Sequence, residues 1–313
     1  MKPMTVDNHT AEETARAPGA RPPARRKRPV AGWRLPRSAK LRTGLGIVLA
    51  IGLVGAVGPL LTGDPHAVSG AVLRPPSGAH WLGTTETGQD MLAQLTLATR
   101  GSVLVGLVVG AIATLVSILV GVVGGYVGGK TDETFSLVTN VVLVVPSLPL
   151  AIVIANYLDG GGLLVTILVI AMTTWAAPTR VLRAQARSVR ERDYVTAAKA
   201  SGERSWRIVC VEILPNLLPV VAAQFVFAVI FAVLTEAGLA FLGLAGFGSL
   251  TWGTLLYYAQ NAQALILGAW WWFIPPGLLM AVFGCGLSLI NFAIDEIIDP
   301  NLRSATRQRK ASR

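Results

Sequence analysis

Charge is what this chain has least of. Asp, Glu, Lys and Arg make up 14% of its 313 residues, where soluble domains carry about 25%. Together with 52% hydrophobic residues and a mean hydropathy of +0.57, that shortage excludes an ordinary soluble domain and implies an integral membrane protein. Cysteine is nearly absent, and Cys210 and Cys285 alone make no disulfide framework. Histidine is scarce as well. His9, His66 and His80 are scattered, and none falls in an apolar run, so no metal site is expected. The same scatter leaves no nucleophile–base pair or zinc motif for an intramembrane hydrolase.

Long uncharged runs are what the chain has instead. A helical span takes about 20 apolar residues, and six stretches qualify, near 43–62, 101–127, 135–158, 161–179, 215–238 and 272–294. The fold class expected is an all-α integral membrane protein with about six transmembrane helices. Residues 237–294 carry no charge, yet their middle is polar and glycine-rich (Gly243, Gly246, Gly248, Trp252, Gly253, Tyr257, Tyr258, Gln260, Asn261, Gln263). That composition suits an external loop or a partly re-entrant segment. Glycines spaced four apart (Gly121, Gly125 and Gly129; Gly124 and Gly128; Gly106 and Gly110) suit close helix approach in lipid.

The basic residues fix an orientation. Of 27 Lys and Arg, eleven lie in residues 1–42, eight in 180–215 and five after Asp299, with Lys130 in a short turn on the same side. Only Arg74 and Arg100 remain for the other side. The positive-inside rule makes the crowded side cytoplasmic and puts both termini there, which an even number of spans satisfies. The net charge of +10 is read as orientation and contact with anionic headgroups rather than nucleic-acid binding. The expected organisation is a disordered basic tail (1–42), a first span with an external segment (43–99), a core of five spans (100–298) and a C-terminal tail (299–313). The tail does not have the short charged region and nearby cleavage site of a signal peptide.

Residues 124–131, GGYVGGKT, formally match the phosphate-binding P-loop. That chemistry needs a strand, a loop whose N–H groups cradle phosphate, and a helix. Here the match ends an apolar run and is followed by Asp132 and Glu133, which would repel a triphosphate. The chain is expected to bind no ATP and to catalyse nothing itself.

The segment 180–215 is the one long charged interruption. Tyr194, Ala198 and Gly202 fall on one helical face at i, i+4 and i+8, and Gly202 is placed to end the helix. A second short helix is expected near Ser205, and Pro215 and Pro219 mark the start of the fifth span. Periodicity leaves two readings open: a helix docked in a partner's groove, or one lying on the membrane surface by its arginines and Trp206.

Thr196-Ala197-Ala198, then Gly202, then Leu214-Pro215 resembles the EAA loop of ATP-binding cassette (ABC) importer permeases. His80-Trp81-Leu82-Gly83-Thr84 with Gly88 and Asp90 looks like the opening of the dipeptide/oligopeptide/nickel permease family. Gly124 to Glu133, Glu236 to Gly243, Trp252-Gly253, Ala269-Trp270-Trp271 and Asp299-Pro300 extend the likeness over residues 80–303, to the C-type subunit of such systems. Thr196 departs from the usual Glu, Glu212 from Ile or His, and Thr85 and Gln89 from residues more often acidic and basic.

The resemblance implies a type I importer in the cell membrane, with a second permease subunit, two cytoplasmic ATPases that bind ATP and Mg, and an external solute-binding protein. It makes residues 193–207 the coupling element, with Tyr194, Thr196, Ala197, Ala198, Lys199, Ser201, Gly202 and Trp206 as ATPase-docking residues. Cargo stays open among peptides, nickel and other small solutes.

Asn156, Thr174, Trp175 and Glu236 are candidates for lining the pathway, although such residues also bond between helices, and Glu236 equally suits an interface or a turn cap. Trp270-Trp271-Trp272 reads as an interfacial aromatic belt. A gradient-driven secondary transporter is the alternative. It calls for mid-membrane carboxylates and an internal repeat, and only Glu236 comes near.

Overall fold

The computed structural model describes residues 38–157, 162–244 and 249–298. Most of the basic N-terminal tail, the C-terminal tail, Gly246, Gly248, Asp299 and Pro300 lie outside the described residues. Within them the chain is helical, with only two isolated bridges, Val68 to Gln89 and Thr84 to Asp90. Four helices are long and apolar enough to cross a membrane: α1 (Ala39–Leu61), α2 (Met91–Val127), α8 (Ser205–Phe241) and α10 (Trp270–Ile298). Two bent pairs supply the rest, α3 (Gly129–Val144) with α4 (Ser147–Tyr157), and α5 (Gly162–Thr174) with α6 (Ala176–Arg190). Counting each pair as one span gives six. The short helices α7 (Asp193–Ala200) and α9 (Trp252–Asn261) complete the set.

Local chemistry moves several expected boundaries. Ser38 Oγ accepts the Leu41 N–H at 3.2 Å and starts α1, so Lys40 and Arg42 belong to the helix rather than to the tail. Lys40 Nζ then reaches Glu296 Oε1 at 2.6 Å, tying the start of α1 to the end of α10. Asp90 caps α2 through the Ala93 N–H at 3.0 Å, ten residues before the expected start near 101 and inside the expected 43–99 segment. Thr96 and Thr99 look unlike a span, yet each hydroxyl donates to a carbonyl of its own helix (Ala93 at 2.9 Å, Leu95 at 2.7 Å).

The expected third span, 135–158, is not straight. Val145, before Pro146, is extended (φ −76°, ψ 124°), as a residue preceding proline prefers. The chain turns by 83° there. The expected fourth span, 161–179, bends by 41° after Thr174 and runs on as helix to Arg190, so the first part of the basic segment is helix. The separate helix near Ser205 is the first turn of α8, which continues through a π-helical stretch, Ile208–Ile213, into Pro215 and beyond. Asn216 Nδ2 donates to the Glu212 carbonyl across that junction. At about 1.5 Å per residue, α2 and α8, 37 residues each, outreach the apolar thickness of a bilayer.

Glycines set the closest helix contacts. A Cβ at Gly110 would lie 2.6 Å from Val229 of α8, and one at Gly44 2.6 Å from the Gly286 carbonyl of α10. Gly121 and Gly125 bring α2 onto α6, where added Cβ atoms would meet the Thr179 and Arg183 carbonyls at 2.7 and 2.8 Å.

The polar middle of the charge-free stretch holds a short helix, α9, packed against α2, α8 and α10. Thr251 and Thr254 form a capping box, and Trp252 is fully buried, donating from Nε1 to Thr99 Oγ1 at 3.0 Å. The aromatic belt needs correction. Trp270 is half-exposed, but Trp271 and Trp272 are buried, and Trp271 Nε1 donates to the Thr84 carbonyl at 3.2 Å. These rings hold the 62–90 segment down rather than mark a lipid interface.

Candidate docking element and pathway

The helix α7 is short, so its position comes from anchoring rather than propensity. Val195 is fully buried in a cluster with Tyr126 of α2, Leu182, Ala186 and Val189 of α6, and Ile208, Ile213 and Leu217 of α8. The helix ends as a Schellman motif: Gly202 N–H donates to the Lys199 carbonyl at 3.0 Å and Glu203 N–H to that of Ala198 at 3.2 Å. Gly202 has φ +76°, the left-handed conformation expected of it.

The exposed face differs from the one the i, i+4 spacing suggests. Tyr194 and Ala198 pack against the Val195 cluster, and burial raises the Tyr194 pKa above its ordinary value. Thr196, Ala197, Lys199, Ala200, Ser201 and Gly202 face outward. Trp206, on the first turn of α8, is 63% exposed. The Lys199 ammonium lies 4.9 Å from the Tyr126 ring centroid, and burial, then the charge of Arg190, lowers its pKa. Val195 was the signal for the inward side, an apolar residue flanked in helical register by Tyr194 and Ala198.

The glycine motif is a helix junction and not a phosphate loop. Residues 124–127 are helical, and Gly128 (φ +72°) and Gly129 (φ +58°) turn α2 into α3. Asp132, one turn later, is buried. Its carboxylate meets Arg183 Nε at 2.6 Å and Arg187 Nη2 on α6. The arginine spacing at i and i+4 on one helix carried this signal in the sequence, but their acidic partner lies far away in the chain.

Of the pathway candidates, Thr174 lines a cavity of about 430 Å³ where both bent spans meet α8. Val145, Pro146, Ser147, Thr173, Gln224 and Phe227 share its wall. Gln224, in the middle of α8, was not singled out by sequence. Trp175 sits at the α5–α6 bend, where its carbonyl accepts from Ser117 Oγ at 2.9 Å and Thr179 Oγ1 at 2.7 Å. Asn156 is exposed near the end of α4, away from that wall. Glu236 is 1% exposed and accepts the Thr251 hydroxyl on Oε1 at 2.6 Å, which matches the turn-cap reading. Among the described residues no group of His, Cys, Asp or Glu is placed to hold a metal ion.

Residues 113–304 match the family described as "Binding-protein-dependent transport system inner membrane component". The chain belongs to that family. This permease is 34% identical to the probable D,D-dipeptide transport system permease protein of Escherichia coli (strain K12), over 86% of its own length and 90% of the relative's. It is 34% identical to the oligopeptide transport system permease protein of Mycobacterium bovis, over 76% and 81% of the two chains. Against the dipeptide transport system permease protein of Bacillus subtilis (strain 168) the identity is 29%, over 87% and 85%. Membership sets aside the gradient-driven alternative.

The departures Thr85 and Gln89 prove to be partners in this permease. Gln89 N–H donates to Thr85 Oγ1 at 3.2 Å and Thr85 N–H to the Gln89 carbonyl at 3.0 Å. A neutral hydrogen-bonded pair therefore closes this turn. Nearby, His80 Nδ1 and Asp90 Oδ2 are 2.7 Å apart, so the same Asp that caps α2 also holds the loop before it.

Proposed function

We propose that this permease forms one half of the translocation pathway of an ATP-driven importer. It pairs with a second permease subunit and receives its cargo from an external solute-binding protein. Two cytoplasmic ABC ATPases dock on residues 193–207 and bind the ATP and Mg²⁺ that drive the cycle. The excess of Lys and Arg on the side of the basic segment supports cytoplasmic termini and a cytoplasmic α7.

The observation that carries this reading is α7 itself. A short helix turns one side into the core through Val195 and leaves a face of small residues, Ala197, Ala200, Ser201 and Gly202, uncovered. A partner's groove can close on such a face without displacing large side chains, while Lys199 and Arg204 flank it. ATP shifts the transporter between inward- and outward-facing arrangements only to the extent that the ATPase dimer binds it better in one of them. The docked helix passes that preference to the spans. Of the four candidates, Thr174 belongs with the pathway, beside Gln224 and Ser147. Their neutral hydrogen-bonding groups, together with the peptide systems of the relatives, support peptides or similar small solutes as cargo.

The test is a pull-down of the tagged chain co-expressed with its neighbouring genes, followed by an ATPase assay, with Gly202→Trp alongside. An added Cβ at Gly202 meets nothing within 4 Å in the chain itself, but at φ +76° a bulky residue also strains the helix end, so loss of the ATPase counts only where the variant unfolds near the native midpoint. An ATPase that co-purifies with the native chain, and is lost or uncoupled in the variant, supports the importer. A folded chain that never brings down an ATPase refutes the docking.

A further inference from the structure

Asp132 lies outside both the docking face and the cavity, yet it has the most elaborate set of ionic contacts among the described residues. It is 3% exposed and belongs to the first turn of α3, directly after the Gly128–Gly129 junction. A carboxylate so buried is tolerable only when paired. Arg183 and Arg187 both meet it.

The pairing extends along two antiparallel helices. Arg180, Arg183 and Arg187 recur on one face of α6, and Arg180 Nη2 donates to Asn140 Oδ1 of α3 at 2.9 Å, two turns beyond Asp132. Farther along α3, Leu137, Val141 and Val144 are exposed, and the apolar contact nearest the joint is Phe135 against Gly124. Its covalent link to α2 is a pair of left-handed glycines, a permissive joint.

The other end of the same arrangement is the coupling helix. A Cβ on Gly128 would lie 2.5 Å from Arg190 Nη1, on the last turn of α6. Lys199 of α7 sits over Tyr126, just before that junction, and Val195 is buried beside Ala186 and Val189. A displacement of α7 is therefore felt directly by α6 and the end of α2. It reaches α3 through the arginine grip on Asp132, beside the bond of Arg180 to the neutral Asn140 and the Phe135 contact, and only the grip pairs charge with charge.

We propose that Asp132 is a positioning residue of the transport cycle, the joint through which α7 and α6 carry the bent span α3–α4 with them. The proposal rests on the importer reading. It adds that the angle of α3, and so the cavity wall at Val145 and Ser147, follows the ATPase only while the Asp132 charge is held by Arg183 and Arg187.

The test uses the full complex co-purified from cells, with Cys210 and Cys285 replaced by Ser. Spin labels go on the exposed positions Leu137 (α3), Glu191 (beside α7) and Phe292 (α10), and distances are read without nucleotide and after trapping with ATP and vanadate. In the otherwise native complex the α3–α10 distance should change on trapping while the α3–α7 distance stays narrow. Asp132→Asn and Asp132→Ala should broaden the α3–α7 distribution and abolish the α3–α10 response, with the ATPase still bound and hydrolysing ATP. Asp132→Arg with Arg187→Asp keeps two guanidiniums and one carboxylate at the joint and should restore the response.

A full α3–α10 response in the Asn and Ala variants overturns the proposal. So does failure of both single variants to assemble while the exchange assembles yet shows no response, because the cluster then serves folding alone. Absence of any ATPase from the native preparation counts instead against the importer reading.

Discussion

Glu236 Oε1 accepts the Thr251 hydroxyl at 2.6 Å, and both side chains are shut away from solvent. The carboxyl of α8 thereby holds the first turn of α9, whose N-cap is that same threonine. Gly253 makes the approach possible, since a Cβ there would lie 2.7 Å from Ala237 and from Ala240. One polar contact and one missing side chain thus join α9 to α8, beside the bonds of Trp252 to Thr99 and Ser102 of α2.

Removing the carboxyl should loosen α9. Glu236→Ala removes the short bond of the buried Thr251 hydroxyl and leaves it only the long contact to Thr254 Oγ1 at 3.4 Å, a loss of about 1–2 kcal/mol. Glu236→Gln keeps an acceptor in place and should stay within about 1 kcal/mol of the native chain. Thermal unfolding of the purified protein in detergent separates the two. Equal destabilisation by Ala and Gln would mean that charge, not the acceptor, holds the turn.

Gly110 tests the contact between the two longest helices. Its missing side chain faces Val229, with Phe225 at 3.3 Å. Gly110→Leu should cost about 1–3 kcal/mol through overpacking, whereas Gly46→Leu, with nothing within 4 Å of its Cβ, should cost far less. Lower thermal midpoints for both variants alike would point to backbone or insertion effects instead of helix approach.

Gly202 separates shape from strain. Its φ of +76° suits Gly or Asn, and no atom of the chain opposes a side chain there. Gly202→Asn should therefore unfold close to the native midpoint and yet retain less ATPase in a pull-down, because the added group projects into the proposed docking face. Full retention of the ATPase at unchanged stability would place the partner elsewhere on the loop.

The all-helical, many-span class, the break in the charge-free stretch and the helix end at Gly202 were legible because each rests on a local signal: uncharged runs, a polar glycine-rich interval, a glycine after a small-residue helix. The start of α2 was hidden because Arg100, exposed on the helix, interrupts the apolar run, and because Thr96 and Thr99 look polar although their bonds to the helix's own carbonyls make them compatible with burial. The 83° bend was marked by Pro146, but apolar composition across it spoke for one straight span. Asp132 was visible as an acid after a glycine motif, and its meaning was not. The partners, Arg183 and Arg187, come from a helix that the sequence reading placed largely in a loop. The inward side of α7 was likewise decided by Val195, whose pocket is assembled from α2, α6 and α8.

The orientation is open to direct chemical test through the chain's own thiols. Cys210 is exposed at the start of α8, beside the basic segment, and Cys285 is exposed in the middle of α10, where lipid would surround it. Trp81, 74% exposed, lies on the segment between α1 and α2, which α1 separates from the start of the described chain. In intact cells a membrane-impermeant maleimide should label Trp81→Cys, in a background with Cys210 and Cys285 replaced by Ser, and should leave native Cys210 untouched. Cys210 should become reactive only after permeabilisation, and Cys285 should react poorly in either case because a polar reagent does not reach a thiol at mid-bilayer. Labelling of Cys210 in intact cells, with Trp81→Cys protected, would invert the topology and place α7 outside the cell, beyond the reach of any cytoplasmic ATPase.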